Sequence, residues 1–527
     1  MSTNTIRFEG SEMNRKLLMG HPSGLFVLFF TEMWERFSYY GMRAILVLFL
    51  TSAITGDNPG WGWSREDALG LYGTYTMLVY FSPIIGGFLA DKFLGYRYAV
   101  AMGAFIMTLG HATMALNTPW SLYVGIGLLV AGNGLFKPNI TSIINGVYKN
   151  AQDKKDGAFT IFYMGVNAGA FVGILLCGYV GETAGWHYGF GLAGVFMFLG
   201  MLQFWFAQGI FGSIGLSPSK AIEYNDAIEN VEEKTIIEDE KVPANVQRDR
   251  YIVVAILAFF TVFFWAAFEQ AGGSMTIFAG DYTNRVLEGG SANIFRVANT
   301  LLTVVPLLII TYVLFQLFKI TFKKYALSNI FLGASFVIIW CIVIWMLKNQ
   351  FSDVKTEVPA SWFSILNSFY IIAFAPLISK IWESKFNPPA TVKFGLGLVL
   401  LGLGFGVLAY GSSEIPQGAQ TASVSMVWLI LAYLLHTLGE LCLSPVGLSY
   451  VSKLVPASTI GVMFGLWYIA VGMGNKAAGS MGGMIDKITA TYDMSTFFLI
   501  FTIVPILAGF ILMGLTPLVK KLMHGVK

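Results

Sequence analysis

An all-α polytopic membrane protein is the fold class this sequence predicts, and three observations predict it. Apolar runs long enough to cross a bilayer recur along the 527 residues. Only 12% of the residues are charged, against about 25% in soluble domains, while 55% are hydrophobic and mean hydropathy is +0.66. Lys and Arg also crowd into alternate connecting segments, as they do when a chain threads a membrane repeatedly.

The first run, 24–52, carries Glu32, Glu35, Arg36 and Arg43, and ionisable groups are costly at membrane depth. At ~100° per residue, Glu32, Glu35, Arg36, Tyr39, Tyr40 and Arg43 fall within an arc of roughly 140°. Trp34, Phe37 and Ser38 point elsewhere. A polar stripe on one face predicts a helix that lines a cavity. Residues 1–22 are polar and have no apolar core, so no cleavable signal peptide is expected.

Further spans read at 67–90, 97–116, 120–146, 158–181 and 187–212, with Lys92/Arg97 and Lys149/Lys154/Lys155 in alternate connections and so on one side. Residues 213–250 then form the one long polar segment, with nine acidic and five basic residues. Ala221, Ile222, Tyr224, Ile228 and Val231 recur there at roughly helical spacing, which fits either a surface helix or a solvated tether. The next span, 252–279, carries Glu269 beside Trp265. Two more, 294–318 and 326–348, flank the basic Lys319/Lys323/Lys324 turn. The last five read at 361–382, 392–411, 424–451, 459–484 and 495–519. Fourteen spans put both termini on one side. With that side cytoplasmic, its segments hold 23 of the 33 Lys and Arg, which orients the chain.

The three cysteines (Cys177, Cys341, Cys442) all lie in apolar runs, so no disulfide framework is implied. Deep within spans, Lys137, Glu269 and Glu440 join the stripe of the first helix. The set has four carboxylates (Glu32, Glu35, Glu269, Glu440) against three cations (Arg36, Arg43, Lys137). A shared cavity would carry one excess negative charge, which uptake of one proton would balance. The other reading is that these charges pair and lock helices together. His436 shares a helix face with Glu440, and His111 is also intramembrane; each fits a packing role or, for His436, tuning of the glutamate. Lys476 fits either an interfacial or a cavity-entrance position. HExxH, GxSxG and Walker A motifs and clustered His/Cys ligands are absent from the sequence, which argues against an intramembrane enzyme. No cofactor and no nucleic-acid partner is expected.

The layout of two helical halves around a central polar loop is that of the major facilitator superfamily. The motifs together resemble its proton-dependent oligopeptide transporter (POT) family. The ExxER signature stands as Glu32, Glu35, Arg36, and the second-to-third helix signature as Gly86-Gly87-Phe88-Leu89-Ala90-Asp91-Lys92. The helix 5 signature stands as Phe162-Tyr163-Met164-Gly165-Val166-Asn167-Ala168-Gly169. Phe136-Lys137-Pro138-Asn139, Gly439-Glu440-Leu441-Cys442-Leu443-Ser444-Pro445 and Trp467 complete the set.

The resemblance implies that Arg36, Arg43 and Lys137 attract a peptide carboxylate, and that Asn167, Asn367 and Glu440 hold its amino terminus. It implies proton coupling through Glu32, Glu35, Arg36 and Glu269, and gate pairs Arg43–Glu269 and Lys137–Glu440. Tyr39, Tyr40, Tyr80, Trp265 and Trp467 would shape side-chain pockets. Two departures stand out. Phe268-Glu269 replaces the paired glutamates of some relatives, and the helix 2 histidine of animal members falls at Gly73.

The expectation is a major facilitator fold: a six-helix bundle over 1–212, a linker over 213–250, helix 7 over 251–290, an inserted transmembrane hairpin over 291–350 and helices 8–12 over 351–527. The expected function is proton-coupled symport of di- and tripeptides by a monomer, surrounded by lipid in the inner (plasma) membrane, with both termini cytoplasmic. The alternative is another small zwitterionic or anionic solute carried on the same scaffold.

Overall fold

The computed structural model of the protein describes residues 8–217, 219–220, 243–385, 387–456 and 459–526. The surface helix considered over 221–231 lies outside them. Every predicted span falls on a helix. In chain order these are α1 (Ser23–Thr51), α2 (Arg65–Leu89), α3 (Tyr96–Met114), α4 (Pro119–Val147), α5 (Lys155–Thr183), α6 (Trp186–Ala207) and α7 (Ala244–Phe268). They continue as α8 (Gly289–Thr321), α9 (Ala326–Ser352), α10 (Ile365–Glu383), α11 (Ala390–Gly411), α12 (Val427–Leu454), α13 (Ile460–Gly483) and α14 (Met494–Gly514).

Among the described residues, eleven helices are long and apolar enough to cross a membrane. The set leaves out α1, α3 and α13. In α1 the cause is the polar stripe, because every eighteen-residue stretch of it holds more than two charges.

Helix α7 departs most from the sequence expectation. Its regular part stops at Phe268, and Glu269–Gly272 forms a tighter 3₁₀ turn. Gly273 breaks the helix with φ −117° and ψ −106°, and a short helix, Ser274–Ile277, follows. The dipeptide Gly272-Gly273 supplies the reason, since glycine loses more backbone entropy in a helix than any other residue. Freed polar groups in an apolar medium need new partners, and side chains provide them. Tyr433 Oη donates to Ala271 O at 3.2 Å, Thr276 Oγ1 to the same oxygen at 2.9 Å, and Gln270 Nε2 to Ala266 O at 3.1 Å.

The chain forms two compact units. The first draws on Met1–Ile45, Ser82–Glu233 and Val286–Pro359, and the second on Leu46–Phe81, Lys234–Arg285 and Ala360–Lys527. In the first unit, Trp34 of α1 stacks on Phe196 of α6 at 5.2 Å and meets Phe336 of α9 edge-on at 5.6 Å. The α8–α9 hairpin therefore packs on α1 and α6, helices far from it in sequence. Ser328 Oγ reinforces this by donating to Gln203 O at 2.7 Å. The hairpin's base is closed by antiparallel pairing of Val286–Leu287 with Thr356–Glu357. Above that base the buried Arg296 donates to Thr356 Oγ1 and to Asp353 O.

In the second unit, α2 and α13 touch backbone to backbone. A methyl at Gly73 would lie 2.8 Å from Gly479 Cα and 3.1 Å from Asn475 O. The position that the resemblance aligns with a histidine thus has no room here for any side chain.

Candidate functional site

Among the described residues, each unit carries buried polar groups at membrane depth. In the first, α1 places Glu32 and Arg36 one turn apart, with Glu35 beside them. Arg36 Nε lies 2.7 Å from Glu32 Oε1 and 2.9 Å from Glu35 Oε2. Glu32, Glu35 and Arg36 are 2%, 0% and 6% exposed, so one guanidinium serves two desolvated carboxylates. Asn133 of α4 donates Nδ2 to Glu35 Oε1 at 2.9 Å. Lys137 lies one helical turn beyond Asn133 and is close enough to act electrostatically on Arg36, Glu35, Glu32 and Arg43. Two turns beyond Arg36 on the same face, the Arg43 guanidinium sits 5.8 Å from the Tyr39 ring and 5.7 Å from that of Tyr40, within cation–π range.

The helix 5 signature has a packing reason. Gly165, Gly169 and Gly173 recur every four residues, and a methyl on any of them would collide with Phe29 O, Met33 O or Phe37 O of α1. This small-residue stripe brings α5 onto the helix that carries Arg36. On the same helix Asn167 is buried, and its Nδ2 donates to its own helix at Tyr163 O, 2.9 Å away.

In the second unit, Glu440 of α12 accepts from Asn367 Nδ2 of α10 at 2.8 Å, and Asn367 also donates to Thr437 Oγ1 at 3.2 Å. Glu269 sits at the break after α7, 3% exposed, and accepts from Tyr72 Oη at 3.2 Å. The aromatic residues divide. Trp265 is half-buried beside Phe268, with ring centroids 5.3 Å apart, and Tyr80 lies near Tyr468 at 6.2 Å. Trp467 is only 4% exposed and meets Phe394 edge-on at 6.1 Å, so it is built into the packing of α11 and α13. His436 turns into that core too, its ring 4.4 Å from Phe405, which is the packing role. Lys476 reaches α2, where Nζ donates to Thr74 Oγ1 at 2.7 Å.

Sequence reasoning missed several members. Asn133 had a signal, its place four residues before Lys137 on the same face. Tyr72 and Thr437 had none among so many aromatic and hydroxyl residues. A further set centres on Arg65, which is 9% exposed. Its guanidinium meets Asp281 Oδ2 and Asp486 Oδ1 at 2.6 Å each and donates to Tyr282 Oη at 2.9 Å. These residues stand at span ends, where lone charges in a sequence look solvated.

Comparison with known proteins adds an independent line. Residues 97–225 and 333–500 match the sequence model of PTR2, the POT family. The chain is 32% identical to an uncharacterized transporter, YclF, of Bacillus subtilis, over 97% of each chain. It is 30% identical to a di-/tripeptide transporter of Lactococcus lactis subsp. cremoris, over 97% of this chain and 98% of that one. A crystal structure of peptide transporter POT in complex with sulfate superposes with a TM-score of 0.72 at 30% identity, over 97% of each chain. The matched segments take in α4, α5, α10 and α12, which carry Asn133, Lys137, Asn167, Asn367 and Glu440, while Glu32, Glu35 and Arg36 on α1 and Glu269 lie outside them. This protein is therefore an all-helical, multi-pass membrane transporter rather than an enzyme, and it belongs to the POT family.

Proposed function

We propose that the chain is a proton-coupled symporter that imports di- and tripeptides by alternating access. The observation that carries this reading is the Arg36 guanidinium shared by two buried carboxylates, Glu32 and Glu35. The trio by itself carries one net negative charge, which either the nearby Lys137 or one bound proton offsets. Arg36, Arg43 and Lys137 supply cations suited to a peptide carboxylate. Glu440, oriented by Asn367, supplies an acceptor suited to its ammonium group. Both termini of any peptide can thus be recognised by charge, which leaves side-chain selection to looser contacts from Tyr39, Tyr40, Tyr80, Trp265 and Trp467. Asn167 assists with the amino terminus, and Glu269 takes part in proton coupling. The full-length likeness to a di-/tripeptide transporter supports the same substrate class.

The reading includes a major facilitator fold of fourteen spans: bundle 1–212, linker 213–250, helix 7 over 251–290, hairpin 291–350 and helices 8–12 over 351–527. It places a monomer in the inner membrane with both termini cytoplasmic, the side enriched in Lys and Arg. A second reading, another small zwitterionic solute, is favoured by one neighbour. A POT family transporter of 25% identity and TM-score 0.72 was solved with 5-aminolevulinic acid.

Uptake by proteoliposomes separates the two. Accumulation of labelled dialanine under an imposed inward proton gradient, lost when the gradient is collapsed and competed by other di- and tripeptides, is the expected result. Saturable uptake that no peptide competes would favour the second reading.

A further inference from the structure

Glu32 and Glu35 share Arg36 unequally. Arg36 Nε donates its one hydrogen to Glu32 Oε1 at 2.7 Å, while Glu35 Oε2, 2.9 Å from the same nitrogen, receives no hydrogen bond. Among the described residues, the one hydrogen bond that the Glu35 carboxyl group accepts comes from Asn133 Nδ2, at 2.9 Å to Oε1. Both side chains are buried, Asn133 at 2% exposure and Glu35 at 0%. A carboxylate cut off from water depends strongly on each donor it has.

The amide is held in place by its neighbours in sequence. Asn133 stands between Gly132 and Gly134 of α4. A methyl at Gly132 would lie 2.6 Å from Gly103 O of α3, and one at Gly134 2.7 Å from Ser82 O of α2. Close contact with two other helices stops α4 from rolling and carrying the amide away from Glu35. The second polar atom of the amide, Oδ1, is buried without a partner. The last torsion of asparagine has two broad wells, so a half-turn presents Oδ1 to a protonated Glu35, whose hydroxyl then donates to it. A bond to the charged form is about twice as strong as one between neutral groups, so on balance the amide favours the carboxylate.

We propose that Asn133 is a positioning residue of the proton-coupling step. It marks Glu35, rather than the guanidinium-bonded Glu32, as the group that takes up the proton, and it sets the pH at which uptake occurs. The inference deepens the proton-coupled reading above and rests on it. The charged groups that act on Glu35 are Arg36 and Glu32 on its own helix and Lys137 on α4. Helix α5 meets α1 through glycines, and α6 and α9 meet it through Phe196 and Phe336. Substitution of Asn133 leaves those three charges unchanged, so a shift in titration reports the lost amide.

Infrared titration of the full chain in liposomes, without peptide, reads the carbonyl stretch of a protonated carboxyl group directly. In wild type a band that grows as pH falls should be present, and Glu35→Gln should remove it. In Asn133→Leu the charged form loses its hydrogen bond, the proton is held more tightly, and the midpoint should rise by about one pH unit, roughly tenfold in proton affinity. Asn133→Ser, too short to reach Glu35, should shift the midpoint the same way and stands in if thermal melting shows the leucine variant to be misfolded. Asn139→Leu removes another buried amide of α4, one that donates to Leu135 O, and should leave the midpoint where it was. The pH optimum of proton-driven uptake should move upward with the band. A Glu35 band that the Asn133 variants leave in place, or that Asn139→Leu moves equally, would overturn the role of Asn133 while proton coupling through Glu35 stands. A wild-type titration that Glu35→Gln does not alter would overturn both.

Discussion

Arg36 faces two carboxylates within 2.9 Å, and that stoichiometry sets what each substitution does. Glu35→Gln keeps an acceptor for Asn133 and removes one of the two carboxylates that share Arg36. Proton-driven accumulation should be lost, while exchange of labelled for unlabelled peptide across proteoliposomes persists. Accumulation by the variant under an imposed pH gradient would refute the role of Glu35. Removing Arg36 instead would strand two buried carboxylates, a change that costs about 3–5 kcal/mol and confounds function with folding. Glu440→Gln is the cleaner probe of substrate contact, since Asn367 can still donate to the amide oxygen. Peptide binding should weaken most for free amino termini, and N-acetylation should then cost less in the variant than in wild type. Calorimetric binding energies for the four combinations check this, and strictly additive losses would show that Glu440 does not meet the amine.

At the scale of elements, the hairpin is the informative case. Its two ends are held together by pairing of Leu287 with Thr356, so excision of residues 288–355 with a two-residue glycine turn leaves the flanking chain where it was. The hairpin carries none of the groups assigned to proton or peptide. It covers Trp34 and Phe30 with Phe336, however, and that apolar surface becomes exposed on excision. Uptake per folded protein should stay near wild type while the melting temperature falls, measured by transport and thermal unfolding on the same preparation. Loss of uptake in a variant that still melts cooperatively would assign the hairpin a working role.

Elements also mark the limits of what the sequence reveals. Hydropathy and charge spacing together locate all fourteen long helices, although α1, α3 and α13 fall short on length and apolarity alone. They also locate Glu32, Glu35, Arg36, Lys137 and Glu440, because a charge inside an apolar run stands out. The break at Gly272-Gly273 falls inside a span read as continuous over 252–279, because whether a glycine pair interrupts α7 depends on Tyr433 and Thr276 being in place to satisfy Ala271 O. The partners of the hairpin and the meeting of Arg65 with Asp281 and Asp486 were not legible at all. They depend on contacts between segments hundreds of residues apart, which leave no local periodicity.

For the whole molecule the decisive quantity is where charge sits along the membrane normal. The net charge of +3 says little, but the distribution of 33 Lys and Arg over alternate connections predicts which way the chain threads. The α8–α9 turn, with Lys319, Lys323 and Lys324, belongs with the basic side, and the hairpin base at Lys355 belongs with the other. One hairpin therefore offers both readouts within a single element. In a variant whose three native cysteines are replaced by serine or alanine, a single cysteine at position 323 should react with a membrane-impermeant maleimide only after cells are permeabilised. A cysteine at position 355 should react in intact cells. Lys355 is 64% exposed and pairs with the exposed Glu288 at the hairpin base, so its replacement should disturb neither folding nor transport. Labelling of both positions in intact cells, or the reverse pattern, would overturn the orientation.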